Sequence, residues 1–326
     1  MGADMSDPLV SVILPAYNAE RHIGGAIRSI LTQSFSDFEL MVIDDGSSDD
    51  TAEEIGQVDD PRIRLLRNDR NQGLIFSLNC GIDEAHGRYL ARMDADDISV
   101  PRRLEEQVSF MEAHPEVGLC GSWAQKFIPF GPRWTQKAPR NSGALKAELL
   151  FATPFVHPSV MMRRSVLAEH GLRYRQGYET VEDYRLWCEM AFVTELAVLP
   201  EVLLRYRVGL GSVTGRVLSD RGRSMRRREV LKHIWTEFIE KTMGFMPDEA
   251  QLEAHALFYD ARSTTISPDD RRQALRWLAQ VRENGPDRGF FDEADLAMAC
   301  DRAARSLDDR SPAVFLRRML TVFFSR

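Results

Sequence analysis

Tyr89-Leu90-Ala91-Arg92-Met93-Asp94-Ala95-Asp96-Asp97 joins an apolar run to three carboxylates within four residues. Buried carboxylates without partners are costly, so we expect this acidic group at the end of a strand, facing a cleft. Carboxylates this close repel one another and repel phosphate. A hard divalent cation such as Mg²⁺ or Mn²⁺ can bridge an aspartate and a diphosphate. Taken alone, the segment also fits a solvated acidic turn after a strand.

The residues before this segment alternate between patterns typical of strands and helices. Four apolar runs predict buried strands: residues 9–14, 38–43, 62–66 and 89–93. Apolar residues at helical spacing predict intervening helices, with Ser47 or Ser48 capping the second helix and Gly87 ending the third. Four β-α steps in a row predict an α/β fold with an open parallel sheet and right-handed crossovers.

Distinctive polar groups follow three of the predicted strands: Tyr17-Asn18, Asp44-Asp45 and Asp94 to Asp97. Because ligands of parallel sheets bind beyond the carboxyl ends of the strands, these groups are expected to converge on one site. Two familiar phosphate-binding patterns are missing, since the chain has neither Gly-x-Gly-x-x-Gly after the first strand nor Gly-x-x-x-x-Gly-Lys-Ser/Thr. Phosphate binding is therefore expected to depend on a metal ion, on arginine side chains, or on both.

Composition indicates an ordinary globular protein. Hydrophobic residues make up 44% and charged residues 28% of the 326 residues. The net charge of −7 argues against general binding to nucleic acid or anionic lipid, but leaves room for a local basic patch. The four cysteines lie far apart, which favours a reduced cytoplasmic setting over a zinc site or disulfide framework. No signal peptide or membrane-spanning run is expected.

Six segments in order carry a resemblance to a known family: VSVILPAYN (10–18), DDGSSDDT (44–51), DAD (94–96), PRRL (101–104), HPSVMMRR (157–164) and EDYRLW (182–187). Together they resemble the family 2 glycosyltransferases of bacterial surface-polysaccharide type over about residues 9–215. The resemblance implies the Rossmann-like GT-A fold, a mostly parallel sheet flanked by helices, here followed by a C-terminal helical extension. It also implies inverting transfer of a sugar from a nucleotide-diphosphate sugar.

On the donor side, the resemblance implies a nucleotide site with these residues: Pro15, Tyr17, Asn18, Glu20, Asp45, Arg70, Asn71, Asp94 and Ala95. Asp45 would accept a hydrogen bond from the base, for which a uracil N–H is the usual donor. The Tyr17 ring offers a face for stacking, although Tyr17-Asn18 also fits a simple turn that caps the next helix. Arg70 and Asn71 fit contacts with the diphosphate or base, and fit a solvated loop equally well.

The family match assigns the metal to the acidic segment. Asp96 would coordinate Mn²⁺ or Mg²⁺ directly, and Asp94 would hold the ribose or the water shell of the metal. Many relatives carry a histidine two residues after the arginine matched by Arg207, and some use it as a metal ligand. Gly209 stands there in this chain, so waters or another side chain would complete the coordination.

On the acceptor side, the resemblance places the catalytic base at Asp183. This residue precedes Leu186 and Trp187 by three and four positions, whereas Glu182 precedes Arg185. We therefore predict that Asp183 is the better aligned with the buried helix face; a helix N-cap is the alternative role. Further contacts with the acceptor or the diphosphate are expected from four residues: His157, Glu182, Arg207 and Ser212.

Three regions follow from these assignments. Residues 1–100 form a nucleotide-sugar-binding half, 101–215 an acceptor-binding half with the base, and 216–326 a helical C-terminal region. The last region contains a basic run: Arg221, Arg223, Arg226, Arg227 and Arg228. That run fits a solvated helix face, an interface, or a contact with an anionic lipid-linked acceptor. Residues 313–326 are basic and amphipathic, a pattern typical of peripheral membrane contact or of packing on the domain or another subunit.

The predicted function is hexosyl or N-acetylhexosaminyl transfer from a UDP-sugar to a saccharide or lipid-linked saccharide, in polysaccharide or glycoconjugate synthesis. The expected location is the cytoplasm or the inner membrane face, and a homo-oligomer is compatible with the sequence. A nucleotidyltransferase that makes activated sugars is one alternative, but that class commonly has a glycine-rich basic loop where Pro15-Ala16-Tyr17-Asn18 stands. A non-catalytic sugar-nucleotide-binding subunit is another, and the intact Asp96 and Asp183 count against it.

Overall fold

The strands of the described chain pair into a single sheet. A computed structural model describes residues 7–209, 220–259 and 266–308. Its strands are β1 (Val10–Ala16), β2 (Phe38–Asp44), β3 (Ile63–Arg67), β4 (Tyr89–Arg92), β5 (Ile98–Ser99), β6 (Val117–Phe127), β7 (Arg133–Gln136), β8 (Met161–Arg163) and β9 (Glu195–Arg207). Their order across the sheet is β3-β2-β1-β4-β8-β6-β9-β5, with β7 paired to β6.

The first half of the sheet is parallel, as the sequence predicts. β1 lies between β2 and β4, and β3 pairs with the outer edge of β2. Helices α1 (Ile23–Leu31), α2 (Thr51–Gly56) and α3 (Leu74–Glu84) follow the first three strands. Both faces of β1 and β2 are buried, which explains why continuous apolar runs mark these strands rather than alternation.

The second half of the sheet mixes the two strand directions. β8 is antiparallel to β4 and β6, β9 is parallel to β6, and β5 is antiparallel to β9. The helices of the region from residue 103 to 190 are α4 (Arg103–Ala113), α5 (Ser142–Glu148), α6 (Arg164–Glu169) and α7 (Glu182–Met190), with a 3₁₀ turn at His157–Ser159. The predicted α/β fold with a mostly parallel, helix-flanked sheet is confirmed, with antiparallel strands added in this half.

A buried polar bracket joins the two halves of the sheet. The guanidinium of Arg103, fully buried, donates through Nη2 to the carbonyl oxygen of Arg92 at 2.7 Å. Gln107, one turn later on α4, donates through Nε2 to the carbonyl oxygens of Cys120 at 3.0 Å and Ser159 at 2.9 Å. These bonds satisfy backbone acceptors at the end of β4, in β6 and in the 3₁₀ turn. The segments that carry the candidate site are thereby held in register.

Two predicted helix boundaries are wrong. Ser47 and Ser48 do not cap α2, whose N-cap position is Asp50, because both serines contact the loop after β1 instead. Gly87 does not end α3, whose C-cap position is Ala85. Gly87 serves a close approach, since a Cβ atom there would lie 2.4 Å from the backbone nitrogen of Ser11.

The described residues divide into two compact units. The first contains the sheet and comprises residues 7–129, Arg133–Ala138 and Phe155–Val208; the second comprises Phe130–Pro132, Pro139–Pro154 and the described residues from 209 onward. The second unit is helical, with α5 joined by α8 (Arg221–Met243), α9 (Glu249–Tyr259), α10 (Pro268–Asn284) and α11 (Glu293–Asp308) and a 3₁₀ turn at Gly285–Arg288. The predicted C-terminal helical extension is confirmed, while the division of residues 1–215 into donor and acceptor halves stays a prediction.

His255 lies at the centre of the second unit. Its side chain is fully buried, its Nε2 donates to the carbonyl oxygen of Leu150 at 2.7 Å, and its Nδ1 accepts from the indole N–H of Trp277 at 3.0 Å. Phe151 stacks on the imidazole with ring centroids 5.6 Å apart. Both ring nitrogens are thus bonded as in a neutral imidazole. Burial disfavours the charged form and lowers the pKa of His255 to about 4.

The basic run of α8 is only partly solvated. Arg227 donates to the Tyr259 hydroxyl at 2.5 Å and Arg228 to the Glu253 carboxylate at 2.6 Å, whereas Arg223 and Arg226 are exposed. The amphipathic segment 313–326 lies outside the described residues. Among the helices that the structure describes, none is long and apolar enough to span a membrane.

Candidate active site

The loops after β1 and β2 are bound to each other. Asn18 adopts a left-handed backbone conformation with φ 49°, which asparagine tolerates better than most residues. Its backbone N–H donates to Ser47 Oγ at 3.0 Å, and its Oδ1 accepts from the backbone N–H of Ser48 at 2.9 Å. Tyr17, beside this bend, exposes 48% of its surface. The bend therefore leaves the Tyr17 ring accessible to a planar group, and Asn18 does not cap α1.

Pro15 and Glu20 also support these loops. Pro15 is buried within β1, and the Glu20 carboxylate accepts from the backbone N–H of Asp50 at 3.3 Å. The backbone N–H of Glu20 in turn donates to the Asp49 carboxylate at 3.2 Å. The predicted nucleotide-site residues Asn18 and Glu20 are thus hydrogen-bonded to the loop after β2.

Asp45 organises the loop that follows β3. Its buried carboxylate accepts three hydrogen bonds: from Asn68 Nδ2 at 2.7 Å and from the backbone N–H groups of Gln72 at 2.9 Å and Gly73 at 2.8 Å. These bonds fix the loop that carries Arg70 and Asn71, whose side chains are both exposed. A carboxylate offers about four acceptor positions. Most of the Asp45 acceptor capacity therefore serves the loop, a role that sequence reasoning missed.

Gly46 permits the same loop to approach. Its φ is +68°, and a Cβ atom there would lie 2.5 Å from the carbonyl carbon of Arg70. Both the left-handed conformation and the close backbone contact exclude a side chain. The Asp45-Gly46 pair thus places the loop at residues 70–73 beside the end of β2.

The acidic segment follows β4 and contacts Arg207. Asp97 is fully buried, and its Oδ1 accepts from the backbone N–H of Arg207 at 2.7 Å. The Arg207 side chain donates through Nε to the carbonyl oxygen of Asp96 at 2.9 Å. Burial and the negative charge of Asp94 raise the pKa of Asp96 to about 6 and raise the pKa of Asp97 well above its ordinary value. In this segment, the neighbouring positive charges therefore do not offset the burial and mutual repulsion of the carboxylates.

Arg92 is the main functional candidate that sequence reasoning missed. It ends β4 with only 3% of its side chain exposed and forms an ion pair with Asp94. Its Nη1 makes this ion pair, whereas its buried Nε has no hydrogen-bond partner. A charged residue inside an apolar strand is rarely buried unless it is paired. The interruption of the apolar run at Arg92 was the signal in the sequence.

The second carboxylate pair opens α7, and the predicted orientation of its members is wrong. Glu182 is buried, with 6% of its surface exposed, whereas Asp183 is partly exposed. The helix is buried on nearly all sides. Arg185 is buried as well, and it forms an ion pair with Glu189, Nη2 to Oε1, at 3.0 Å. Apolar spacing therefore could not separate the two acids. Asp183 is the second residue of the helix, after the N-cap position Val181, so the alternative N-cap role is also excluded.

His157 lies against Glu182. Its Nδ1 is 3.8 Å from Glu182 Oε1, and its Nε2 is 2.9 Å from the Tyr174 hydroxyl. Burial and the charge of Arg92 lower the pKa of His157 well below its ordinary value. Burial and the charge of Asp183 raise the pKa of Glu182 to about 8, so burial favours the neutral form of both side chains.

The charge of Arg92 reaches both carboxylate groups. It acts to lower the pKa of Asp96 and Asp97 in the first group and of Glu182 in the second, opposing burial in each case. The structure thus brings the acidic segment, Arg207, His157 and the start of α7 around one buried cation. Ser212 lies outside the described residues.

The described residues contain no group of three or more His, Cys, Asp and Glu side chains arranged to hold a metal ion. The chemistry of the acidic segment nevertheless fits a hard cation. Mg²⁺ and Mn²⁺ often use one or two protein carboxylates and complete their shell with phosphate oxygens and water. Asp97 keeps a buried carboxylate oxygen, Oδ2, without a partner. Burial and, after it, the charge of Asp94 raise the pKa of Asp96, and a bound cation would oppose both effects.

Comparison with known proteins identifies relatives of this chain. The family model of glycosyl transferase family 2 matches residues 11–171. An uncharacterized glycosyltransferase of Haemophilus influenzae is 36% identical over 214 residues, which cover 62% of this chain and 66% of the relative, just under two thirds of its length. The Escherichia coli enzyme named UDP-Glc:alpha-D-GlcNAc-diphosphoundecaprenol beta-1,3-glucosyltransferase WfgD is 37% identical over 169 residues, 47% of this chain and 67% of the relative.

Solved structures share the fold over most of the chain. TarS 1-349 of S. aureus, in complex with UDP-GlcNAc, has a TM-score of 0.59 at 16% identity and covers 92% of this chain and 90% of its own. The mannosyltransferase PcManGT from Pyrobaculum calidifontis, in complex with GDP-Man and Mn2+, has a TM-score of 0.53 at 17% identity over 96% and 79% of the two chains. The architecture is that of the GT-A fold. The fold, the order of the six sequence segments and the relatives agree, and the chain belongs to glycosyl transferase family 2.

Proposed function

We propose that this glycosyltransferase transfers a hexosyl or N-acetylhexosaminyl group from a UDP-sugar to a hydroxyl of a saccharide or lipid-linked saccharide, with inversion of configuration. The observation that carries the proposal is the arrangement around Arg92. The charge of this cation acts on an acidic segment suited to a metal and diphosphate and on the carboxylate pair at the start of α7, in which Asp183 is partly exposed. These are the two charge environments that displacement of a nucleoside diphosphate requires.

The donor would enter beyond the ends of β1, β2 and β4. The exposed Tyr17 ring would stack on the base, and Asp45 would accept from its N–H while it holds the neighbouring loop. Pro15, Asn18, Glu20, Arg70, Asn71, Asp94 and Ala95 would complete the contacts. UDP is the nucleotide we favour, because it occurs in the name of WfgD and in the complex of TarS.

Asp96 would hold a Mn²⁺ or Mg²⁺ ion, whose charge favours departure of the diphosphate. Arg207 would keep the segment in place, since its backbone and side chain already bind Asp97 and Asp96. The complex of PcManGT contains Mn2+, which supports this choice of cofactor. The metal is a proposal for this protein.

Asp183 would act as the general base. A sugar hydroxyl is a weak nucleophile at neutral pH, so a positioned carboxylate has to take its proton as the new bond forms. Because the base and the leaving diphosphate would lie on opposite sides of the anomeric carbon, attack occurs in line and inverts the configuration. The buried Glu182 and the adjacent His157 would contact the acceptor or orient the base.

A nucleotide-sugar screen tests the donor. The purified full chain is heated with UDP-, GDP- and CDP-sugars in the presence of Mn²⁺, and a UDP-sugar is expected to give the largest rise in Tm. A saccharide acceptor is then added and the released nucleotide is identified. Release of UDP supports sugar transfer, whereas release of pyrophosphate from a sugar phosphate and UTP would show a nucleotidyltransferase and overturn the proposal.

A further inference from the structure

One segment of the sequence has a charge opposite to that of the whole chain. Residues 117–147 contain no aspartate or glutamate, although the chain has 49 acidic residues and a net charge of −7. The segment contains these cations: Lys126, Arg133, Lys137, Arg140 and Lys146. This segment is therefore basic within a protein that is acidic overall.

The β6–β7 hairpin displays part of this segment. Lys126 pairs with Trp134 and Phe127 with Arg133 across the two strands. Within the described sheet β7 pairs with β6 alone, so it is an edge strand, and its Arg133 and Trp134 are exposed. An edge strand with an exposed aromatic side chain is open to an external surface.

The hairpin exposes two large aromatic side chains, Phe130 and Trp134. Trp134 exposes 42% of its surface, whereas Trp187, Trp235 and Trp277 are fully buried. Phe130, in the turn that connects the strands, is fully exposed and has a φ of 59°. A bulky residue seldom adopts this left-handed conformation. The turn thus presents a large apolar side chain to solvent at a cost in backbone strain.

We propose that the β6–β7 hairpin binds the surface of a membrane that contains anionic phospholipids. Tryptophan and phenylalanine favour the interface between lipid and water, and each lysine or arginine near an anionic bilayer adds attraction. That attraction is local, because salt screens charges beyond about 8 Å. The acidic remainder of the protein therefore does not prevent it. A neutral glycan would account for the aromatic rings but not for the absence of acidic residues.

The base of the hairpin is continuous with the acidic segment. Phe127, the last residue of β6, lies under the guanidinium of Arg207 at 4.9 Å from its ring centroid. Arg207 in turn donates to Asp97. Phe130 follows Phe127 by three positions, a span of roughly 10 Å in extended chain. A hairpin seated on a bilayer would bring this edge of the site close to lipid headgroups.

Tryptophan fluorescence and co-sedimentation test the proposal on the full chain without any sugar. The probes are vesicles of phosphatidylcholine alone and vesicles in which part of it is replaced by phosphatidylglycerol. We expect sedimentation, and a blue shift of emission, only with the mixed vesicles. The shift should vanish in Trp134→Phe, because the other tryptophans are buried or half-buried. Equal binding to both vesicle types, or binding to neither, would overturn the proposal.

Paired charge reversals locate the surface. Arg133→Glu with Lys137→Glu should lower the partition coefficient onto the mixed vesicles about 30-fold or more, from the attraction of two cations. The matched control is Arg223→Glu with Arg226→Glu on α8, which should bind as the unmodified chain does. Loss of binding in the control pair alone would assign the contact to α8 and refute the hairpin. Circular dichroism confirms that each variant is folded.

The proposal does not rest on the proposed function, and the two fail separately. Transfer to a soluble acceptor should be unchanged in the hairpin pair, since neither residue contacts the acidic segment or α7. A Trp134 shift produced by a soluble polysaccharide, with no response to vesicles, would identify a glycan platform and overturn the membrane assignment.

Discussion

Adjacent residues in one helix turn have different environments in this site. Glu182 is buried against His157, and Asp183 is partly exposed at the start of α7. If Asp183 is the base, Asp183→Asn keeps its shape and removes its basicity. Turnover should fall by about 10²-fold or more with little change in donor affinity. The exposed Asp37→Asn serves as the matched control. Near-normal turnover, or a product whose NMR spectrum shows retained anomeric configuration, would contradict the mechanism.

The metal-binding role proposed for Asp96 can be tested separately from that of the base. Asp96→Ala removes the proposed metal ligand but leaves the bonds of Asp97 to Arg207. Diphosphate and carboxylates repel without a cation between them. UDP binding should therefore require Mn²⁺ in the unmodified protein and lose that dependence, with most of its affinity, in Asp96→Ala. Calorimetry with and without chelator measures this, with the exposed Asp59→Ala as control. Unchanged affinity in excess chelator would exclude this role.

At the scale of elements, one carboxylate holds a loop. Asp45→Asn replaces one of the two acceptor oxygens by an NH2 group, which cannot accept, so the three bonds from Asn68, Gln72 and Gly73 can no longer all form. Loss of such a buried charged acceptor costs about 1–3 kcal/mol. The variant should show a lower free energy of unfolding in urea and faster hydrogen exchange at residues 68–73. Asp69→Asn, an exposed neighbour, should change neither. Normal exchange in Asp45→Asn would mean that the loop is held by other contacts.

The elements also show what sequence alone can and cannot predict here. Strands β1 to β4 were placed within two residues, because fully buried parallel strands appear as continuous apolar runs. The face of α7 was misjudged because Arg185 looks polar but is buried by its ion pair with Glu189. The loop-holding role of Asp45 depends on residues 23–28 positions away. Ion pairs and hydrogen bonds between residues far apart in the sequence leave no periodic pattern in the chain.

At the scale of the whole molecule, pH acts on the second unit through His255. Its pKa is about 4 in the folded protein and 6.5 in a model peptide. The neutral form therefore stabilises the fold fully above about pH 6.5, and this stabilisation is lost as pH falls towards 4, by roughly 3 kcal/mol. Urea unfolding followed from pH 7.5 to 4 measures it.

His255→Gln separates this contribution from other acid effects. Glutamine carries no titrating group, so the slope of stability against pH between 4 and 6.5 should flatten, while stability at pH 7 falls because the imidazole contacts are lost. The exposed His170→Gln is the matched control and should keep the original slope. An unchanged slope in His255→Gln would assign the acid sensitivity to other groups.

Arg92 affects how this protein can evolve. One buried guanidinium pairs with Asp94 and also influences Asp96, Asp97 and Glu182. Substitutions in the acidic segment and at the start of α7 should therefore show epistasis, since each changes the charge that the same cation has to balance. A double-mutant cycle on Arg92→Met and Asp94→Asn should give a coupling of about 0.5–3 kcal/mol. In laboratory evolution, the order in which carboxylates of the acidic segment and of the start of α7 are substituted will decide which intermediate variants fold.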